Sequence, residues 1–462
     1  MTPTKSAIFK LGSAAVLLTV APGLGRPAPG PGAQAAPARF SLYLSETLDG
    51  AVFLNAVSDN PRFNEPWAEL RKEWLPKFSQ DPAVARAFKR WSGRGIQLAY
   101  LLSSAPENDL ESLLKRFDEP KSLLAEIRRN LDEPAYAPAL ADLEARHAEV
   151  RALLSFLQKN GFAAMRRERF GSVLEDTQRS LESTLKRFDA ERFADLLEAF
   201  SGRSIPGREM RIAVLAFSNP LSFQLNGFAV GWGTQKGSLD WLLAHEFLHK
   251  FNPSKENLES LQRLAQADPF YEEAWDRVYG EFTEGKEDEL VDAAARFVLL
   301  RLGLATPARN LRSMKHLYFS HKTQKGGVPL AAVLYGALAR RKGALTGFDY
   351  NRFISTEFHS GRIKAGSIEK AFQNVIKPVS GMAGMVLREE ADGARVVDVF
   401  DGFPAQAAGV KAGDLLAEVN GTRLAGKDLD AMLDAVAGES GKPVEVSIHG
   451  LLKDRKVRLT LK

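Results

Sequence analysis

The stretch Ser238-Leu-Asp-Trp-Leu-Leu-Ala-His245-Glu246-Phe-Leu-His249-Lys-Phe constrains this chain more than any other. Its two histidines are four residues apart, so on a helix they lie one above the other and both imidazoles can reach one Zn²⁺ at about 2.0–2.1 Å. Glu246 falls on the neighbouring edge of the same helix, where it can polarise a metal-bound water and later carry its proton to a leaving amine. Seven histidines occur in 462 residues, so this spacing with a glutamate in that slot rarely arises by accident. Trp241, Leu242, Leu243, Phe247 and Leu248 make the helix largely apolar, and partial burial favours the neutral imidazole that a metal needs.

His-Glu-x-x-His is the arrangement of zinc peptidases, whose sites take a third protein ligand and keep one position open. The acids that can supply it follow in Glu281-Phe-Thr-Glu284-Gly-Lys-Glu287-Asp288-Glu289-Leu-Val-Asp292. Helical phase puts 284, 288, 291, 295, 298 and 302 on one stripe whose later members are apolar, so Glu284 and Asp288 are the candidate ligands. Glu289 shares its face with Asp292, Ala293 and Arg296 and reads as the wetter choice. Glu284-x-x-x-Asp288 is similar to the pattern of zinc peptidases in which a glutamate ligates and an acid one turn later orients a liganding histidine. An oxyanion stabiliser is expected from the segment after this helix, with His316, Tyr318 and His321 as candidates.

The run His245-Glu246-Phe247-x-His249-x-Phe251 with Pro253, followed by Leu290-Val291-x-Ala293-Ala294, resembles a family of exported bacterial proteins of the glutamate-zincin type. In that register the ligand position falls on Asp288, where the family carries a glutamate. The triplet Thr283-Glu284-Gly285 also resembles the glycyl aminopeptidases, whose third ligand precedes a glycine.

Lys5 and Lys10 precede an apolar run over 11–21 and a small-residue segment ending Ala33-Gln34-Ala35, which reads as a secretory signal peptide over 1–35. No segment approaches the ~20 apolar residues of a spanning helix. The chain has no cysteine, which excludes a disulfide framework, and its length can bury a core without one. The expected address is periplasmic or secreted. Removing Lys5, Lys10 and Arg26, with no acid before residue 36, lowers the formal charge from +5 to +2. That charge, with no basic run carrying interleaved aromatics, excludes nucleic acid as the partner.

A strand with a turn at Asp49-Gly50 is expected in 40–57, then a helical layer over 61–205 with helices near 66–78, 82–92, 107–131, 136–160, 164–187 and 189–201. That layer shows no catalytic constellation. Two strands are expected in 210–233, the second of them, at Phe228-Ala229-Val230, serving as the edge that holds a substrate in extended form. Helices near 256–267, 269–282, 286–303, 329–342 and 367–376 follow, so a zinc core spans 210–305 within a domain of 36–376.

From 380 the texture changes. Gly384-Met-Val-Leu-Arg, Ala394-Arg-Val-Val-Asp-Val-Phe and Phe403-Pro-Ala-Gln-Ala-Ala-Gly-Val-Lys-Ala-Gly-Asp-Leu-Leu-Ala-Glu-Val-Asn-Gly resemble a bacterial PDZ domain over 380–462. The resemblance implies a groove for C-terminal peptides, with Gly381, Met382, Gly384 and Met385 around the terminal carboxylate and backbone N–H groups as donors. The fold class expected is therefore α+β: a mainly helical zincin-like metallopeptidase domain with a small sheet, followed by a PDZ β-sandwich or barrel. A zinc-dependent peptidase acting on peptides or proteins is the expected activity. A binding protein whose zinc-like helix is vestigial, with the PDZ module as scaffold, is the alternative, and metal analysis separates the two.

Overall fold

The computed structural model describes residues 37–105, 107–218, 222–233, 239–279, 287–319, 329–341, 345, 347–449 and 454–462. The expected signal peptide lies outside these residues, as do Thr283, Glu284, Gly285 and His321. The described chain is mainly helical with two small sheets. No described helix is long and apolar enough to cross a membrane.

The first sheet has the order β1-β2-β4-β3, formed by β1 (Arg39–Leu44), β2 (Glu209–Val214), β3 (Phe223–Leu225) and β4 (Ala229–Trp232). β1 runs parallel to β2 with Leu42 opposite Ile212, and β2 runs parallel to β4 with Ile212 opposite Val230. β3 returns antiparallel to β4. The second expected strand of 210–233 is thus a hairpin, broken where Gly227 takes a left-handed φ of 70°. β4 lies inside the sheet with all four residues buried, so the edge is β3 and not the strand at Phe228-Ala229-Val230.

Only the first part of 40–57 is a strand. Ser45 caps a helix over Glu46–Ala56, accepting from the Leu48 N–H, and Asp49-Gly50 lies inside that helix. The helix is almost wholly buried, so it carries no amphipathic period for a sequence reading to find. Asp49 substitutes for the turn: its carboxylate accepts from the Ala216 N–H at 2.6 Å and from Arg166 Nε at 2.5 Å, tying the helix to the chain leaving β2. Gly95 opens the unanticipated helix Gly95–Leu102, and a Cβ there would stand 2.3 Å from the Ala51 carbonyl oxygen, so only glycine permits this crossing. The expected helix over 107–131 is two, Leu110–Arg116 and Pro120–Asn130, because Pro120 can start a helix but not continue one. Helices Pro307–Phe319 and Tyr350–His359 are further additions.

Apolar burial is divided between two cores. The larger runs from Leu48 to Val379, the smaller from Ala383 to Leu461. The smaller belongs to a six-stranded sheet of order β10-β9-β7-β6-β5, with β5 (Met385–Glu390), β6 (Gly393–Val399), β7 (Leu415–Val419), β8 (Thr422–Arg423, paired only to β7), β9 (Pro443–His449) and β10 (Asp454–Thr460). A groove helix over Leu429–Ala435 lies beside β5. The two parts are tied together: Lys315 Nζ donates to the Val379 and Ser380 carbonyls at 3.1 and 2.5 Å, and Arg312 pairs with Asp434 of the groove helix.

Candidate metal centre

The motif helix, Leu239–Leu248, buries Leu243, Ala244, Phe247 and Leu248. Phe247 meets Phe193 and Phe40, whose ring centroids lie 6.0 and 6.4 Å away, so an aromatic cluster anchored on β1 fixes the back of this helix. The His249 N–H still donates to the His245 carbonyl at 3.2 Å, continuing helical geometry to the second histidine. The two imidazoles stand perpendicular with centroids 4.7 Å apart.

The acid helix, Asp288–Leu302, lies directly against the motif helix and begins at the histidines. His245, His249 and Asp288 each offer a ligand atom, all within 4.8 Å of one another. Asp288 Oδ1 is 3.5 Å from His249 Nε2. Burial pushes both histidines below their ordinary pKa of 6.5, His245 well below. His245 Nδ1 is buried with no hydrogen-bond partner among the described residues. Two neutral imidazoles and a carboxylate form a donor set that suits Zn²⁺, so these residues fit the ion that the motif implies. Glu246 is 6 % exposed, and burial together with the nearby Asp288 carboxylate pushes its carboxyl up to about 8.

Helical phase sets Asp288 apart from Glu289, but Glu289 is not the wetter residue that phase predicts. Glu289 is fully buried, as are Asp292 and Arg296 almost entirely. Its carboxylate accepts from Tyr271 Oη at 2.5 Å and from the Ala331 N–H at 3.1 Å, capping the start of helix Pro329–Ala339. It is a structural acid. Glu284 and His321 fall outside the described residues, and His316 and Tyr318 lie on helix Pro307–Phe319, whose last residues are described by their backbone alone.

Three side chains that sequence reading passed over position the site. Trp241, one turn before His245, packs against its imidazole with ring centroids 5.1 Å apart and planes tilted by 40°. Its indole Nε1 donates to Asp292 at 2.6 Å, and Asp292 also takes Arg296 Nε at 3.0 Å. Lys250, directly after His249, is 1 % exposed yet donates to Asp132 at 3.0 Å and to the Leu225 carbonyl at 2.6 Å. Gln224, with its amide oriented to satisfy both neighbours, accepts from Lys250 Nζ at 2.9 Å and donates to the His249 carbonyl at 3.3 Å. Lys250 therefore ties the His249 end of the motif helix to the edge strand and to the helical layer. The only signal for it was a lysine in an apolar run.

A cleft of about 970 Å³ opens beside His249. Gln224, His249 and Glu287 form one wall, and Arg94, Tyr136 and Arg146 form another. The helical layer, which offered no constellation in the sequence, thus contributes to the cleft.

A second cavity, of about 550 Å³, lies where the two cores meet and contains all four residues expected around a terminal carboxylate, Gly381, Met382, Gly384 and Met385. Two of the expected donors are engaged: the Gly381 N–H bonds to the Gly438 carbonyl and the Met382 N–H to the Lys462 carbonyl. Gly384 has φ 77°, and a Cβ there would fall 2.0 Å from Phe403 Cβ, so no other residue is accommodated.

No protein-family profile matches the chain. A 108-residue stretch is 27 % identical to a carboxy-terminal-processing protease of Bartonella bacilliformis, covering 23 % of this chain and 25 % of that protein. The chain therefore spans about a quarter of the curated relative it matches. Among solved structures, the PDZ domain of a carboxy-terminal protease from Vibrio cholerae in complex with peptide is 22 % identical, with 18 % of this chain and 94 % of that one covered and a TM-score of 0.17. An aminopeptidase N family protein from Idiomarina loihiensis is 11 % identical, with 59 % and 61 % covered and a TM-score of 0.21. The chain is thus weakly similar to a protease over a limited stretch.

Proposed function

We propose that this chain is an exported zinc-dependent peptidase whose C-terminal PDZ-like module engages peptide ends. The reading is carried by one observation: donor atoms of His245, His249 and Asp288 converge within 4.8 Å, with Glu246 in the intervening turn. Zinc held there would supply Lewis acidity toward a peptide carbonyl and an attacking water. Glu246 is the proton carrier: it lies in the turn between the two histidines, where its carboxylate can accept a proton from the attacking water and return it to the leaving amine. Gln224 of edge strand β3 faces the cleft, so an extended substrate would lie along that strand. Lys250, which donates to the Leu225 carbonyl of that strand, holds strand and motif helix at a set distance, which is what orientation of a reacting bond requires.

Metal analysis of purified protein and hydrolysis of a denatured protein substrate test the reading together. Stoichiometric zinc is expected. Glu246→Gln should keep zinc and fold yet lose about 10²-fold or more in rate, since an amide cannot accept the proton. Undiminished hydrolysis by this variant would remove Glu246 from the chemistry, and protein that takes up no zinc would leave the motif vestigial.

A further inference from the structure

The cavity between the two cores has unequal walls. One is apolar and belongs to the C-terminal module: Met382, Val386 and Phe400 are each about two-fifths exposed there, although they are large hydrophobic side chains. β5 is the outer strand of its sheet, so one side of its backbone has no strand partner. The opposite wall is cationic and belongs to the other core, with Arg296, Arg309, Arg312 and Lys315. No aspartate or glutamate lines the space among the described residues. Arg312 is matched by Asp434 and Lys315 by two backbone carbonyls. Arg296 is not fully matched. It is 2 % exposed, its Nε is engaged by Asp292, and its Nη2 is buried with no hydrogen-bond partner among the described residues. A buried guanidinium nitrogen without an acceptor is costly, and a bound anion would satisfy it.

We propose that this cavity is a composite site for the free C-terminus of an apolar peptide, which adds along β5 while the Arg296 guanidinium of the acid helix takes its carboxylate. The inference rests on the C-terminal module being a peptide binder, and it does not require the metal reading. It differs from a groove closed within the module, because the counter-charge comes from the helix that also supplies Asp288. Arg296 and Asp288 are eight residues apart, about 12 Å along that helix. The Asp292 that holds Arg296 also holds Trp241 against His245, so a chain end gripped here is one carboxylate removed from the metal centre.

The test is binding of a fluorescent hexapeptide ending in Val-Val-Ala to the full chain, with a free carboxylate and as the amide, by anisotropy at low salt. The free acid should bind about tenfold tighter or more, the size of a charge-assisted contact. Arg296→Gln should abolish that preference and Arg296→Lys restore part of it. Because Arg296 also has a structural bond, Ser313→Glu provides an independent arm: it places a negative charge in the cationic wall and should cut binding of the acid about tenfold while sparing the amide. Equal binding of acid and amide by the parent protein, or a preference that survives both Arg296→Gln and Ser313→Glu, would overturn the proposal. Repeating the titration on Glu246→Gln and on zinc-free protein separates the readings: intact binding without zinc leaves this site standing even where the metal reading fails.

Discussion

Lys250→Met is the substitution whose consequence can be worked most fully from contacts. Methionine matches the stem of lysine but removes the hydrogen bonds donated to Asp132, Leu225, Gln224 and Tyr100. Burial pushes the lysine down to about 8, so it is largely charged at neutral pH and its loss leaves a charge uncompensated. Removing one member of a buried pair costs about 3–5 kcal/mol. Asp132 is 26 % exposed and keeps the Gly227 N–H at 2.9 Å and the Tyr100 hydroxyl, which puts its share at the low end. The Leu225 carbonyl loses a partner in the interior, so a net destabilisation of about 3 kcal/mol is expected. All six tryptophans, from Trp67 to Trp275, precede the C-terminal module, so urea unfolding followed by indole fluorescence reads the relevant core alone. Asp132→Asn in the same background completes a double-mutant cycle, and a coupling of about 2 kcal/mol is expected because the second change removes the orphaned charge. A loss below about 1 kcal/mol, or additive single effects, would refute the claim that this pair fixes the motif helix to the helical layer.

Three further outcomes are expected. Asp288→Ala should weaken zinc binding by more than about tenfold, measured by competition with a chelating dye, whereas Glu289→Ala should lower stability and retain the metal; the reverse pattern would reassign the ligand. Burial raises Asp49 from its ordinary 3.8 to about 6, so its contribution to stability is fully present below about 3.8 and is lost as pH rises through about 6. The shift corresponds to about 3 kcal/mol, and the stability of Asp49→Asn relative to the parent should improve by about that amount between about pH 4 and pH 7; a gap independent of pH would contradict it.

Fold texture was legible in the sequence wherever burial was one-sided. Most helices of the layer and the strands of the C-terminal module have alternating or 3.6-period apolar residues, and these lie close to their expected places. The misses share a cause. Helix Glu46–Ala56, the interior strand β4 and the face of Glu289 all involve segments buried on every side, where periodicity disappears and local signals such as Asp49-Gly50 mislead.

By itself the sequence determined the pairing of His245 with His249 and the position of Glu246, because a helix repeats every 3.6 residues and needs no distant partner to align i with i+4. Helical phase likewise set Glu284 and Asp288 apart from Glu289 as candidate ligands. The tertiary structure alone decided what meets that helix. Lys250 finds an aspartate 118 residues away, Trp241 finds Asp292 across 51, and Arg296 of one core comes to line a groove made by the other. Such contacts are set by how layers stack and which side chains lose water together, and no spacing within a segment encodes them.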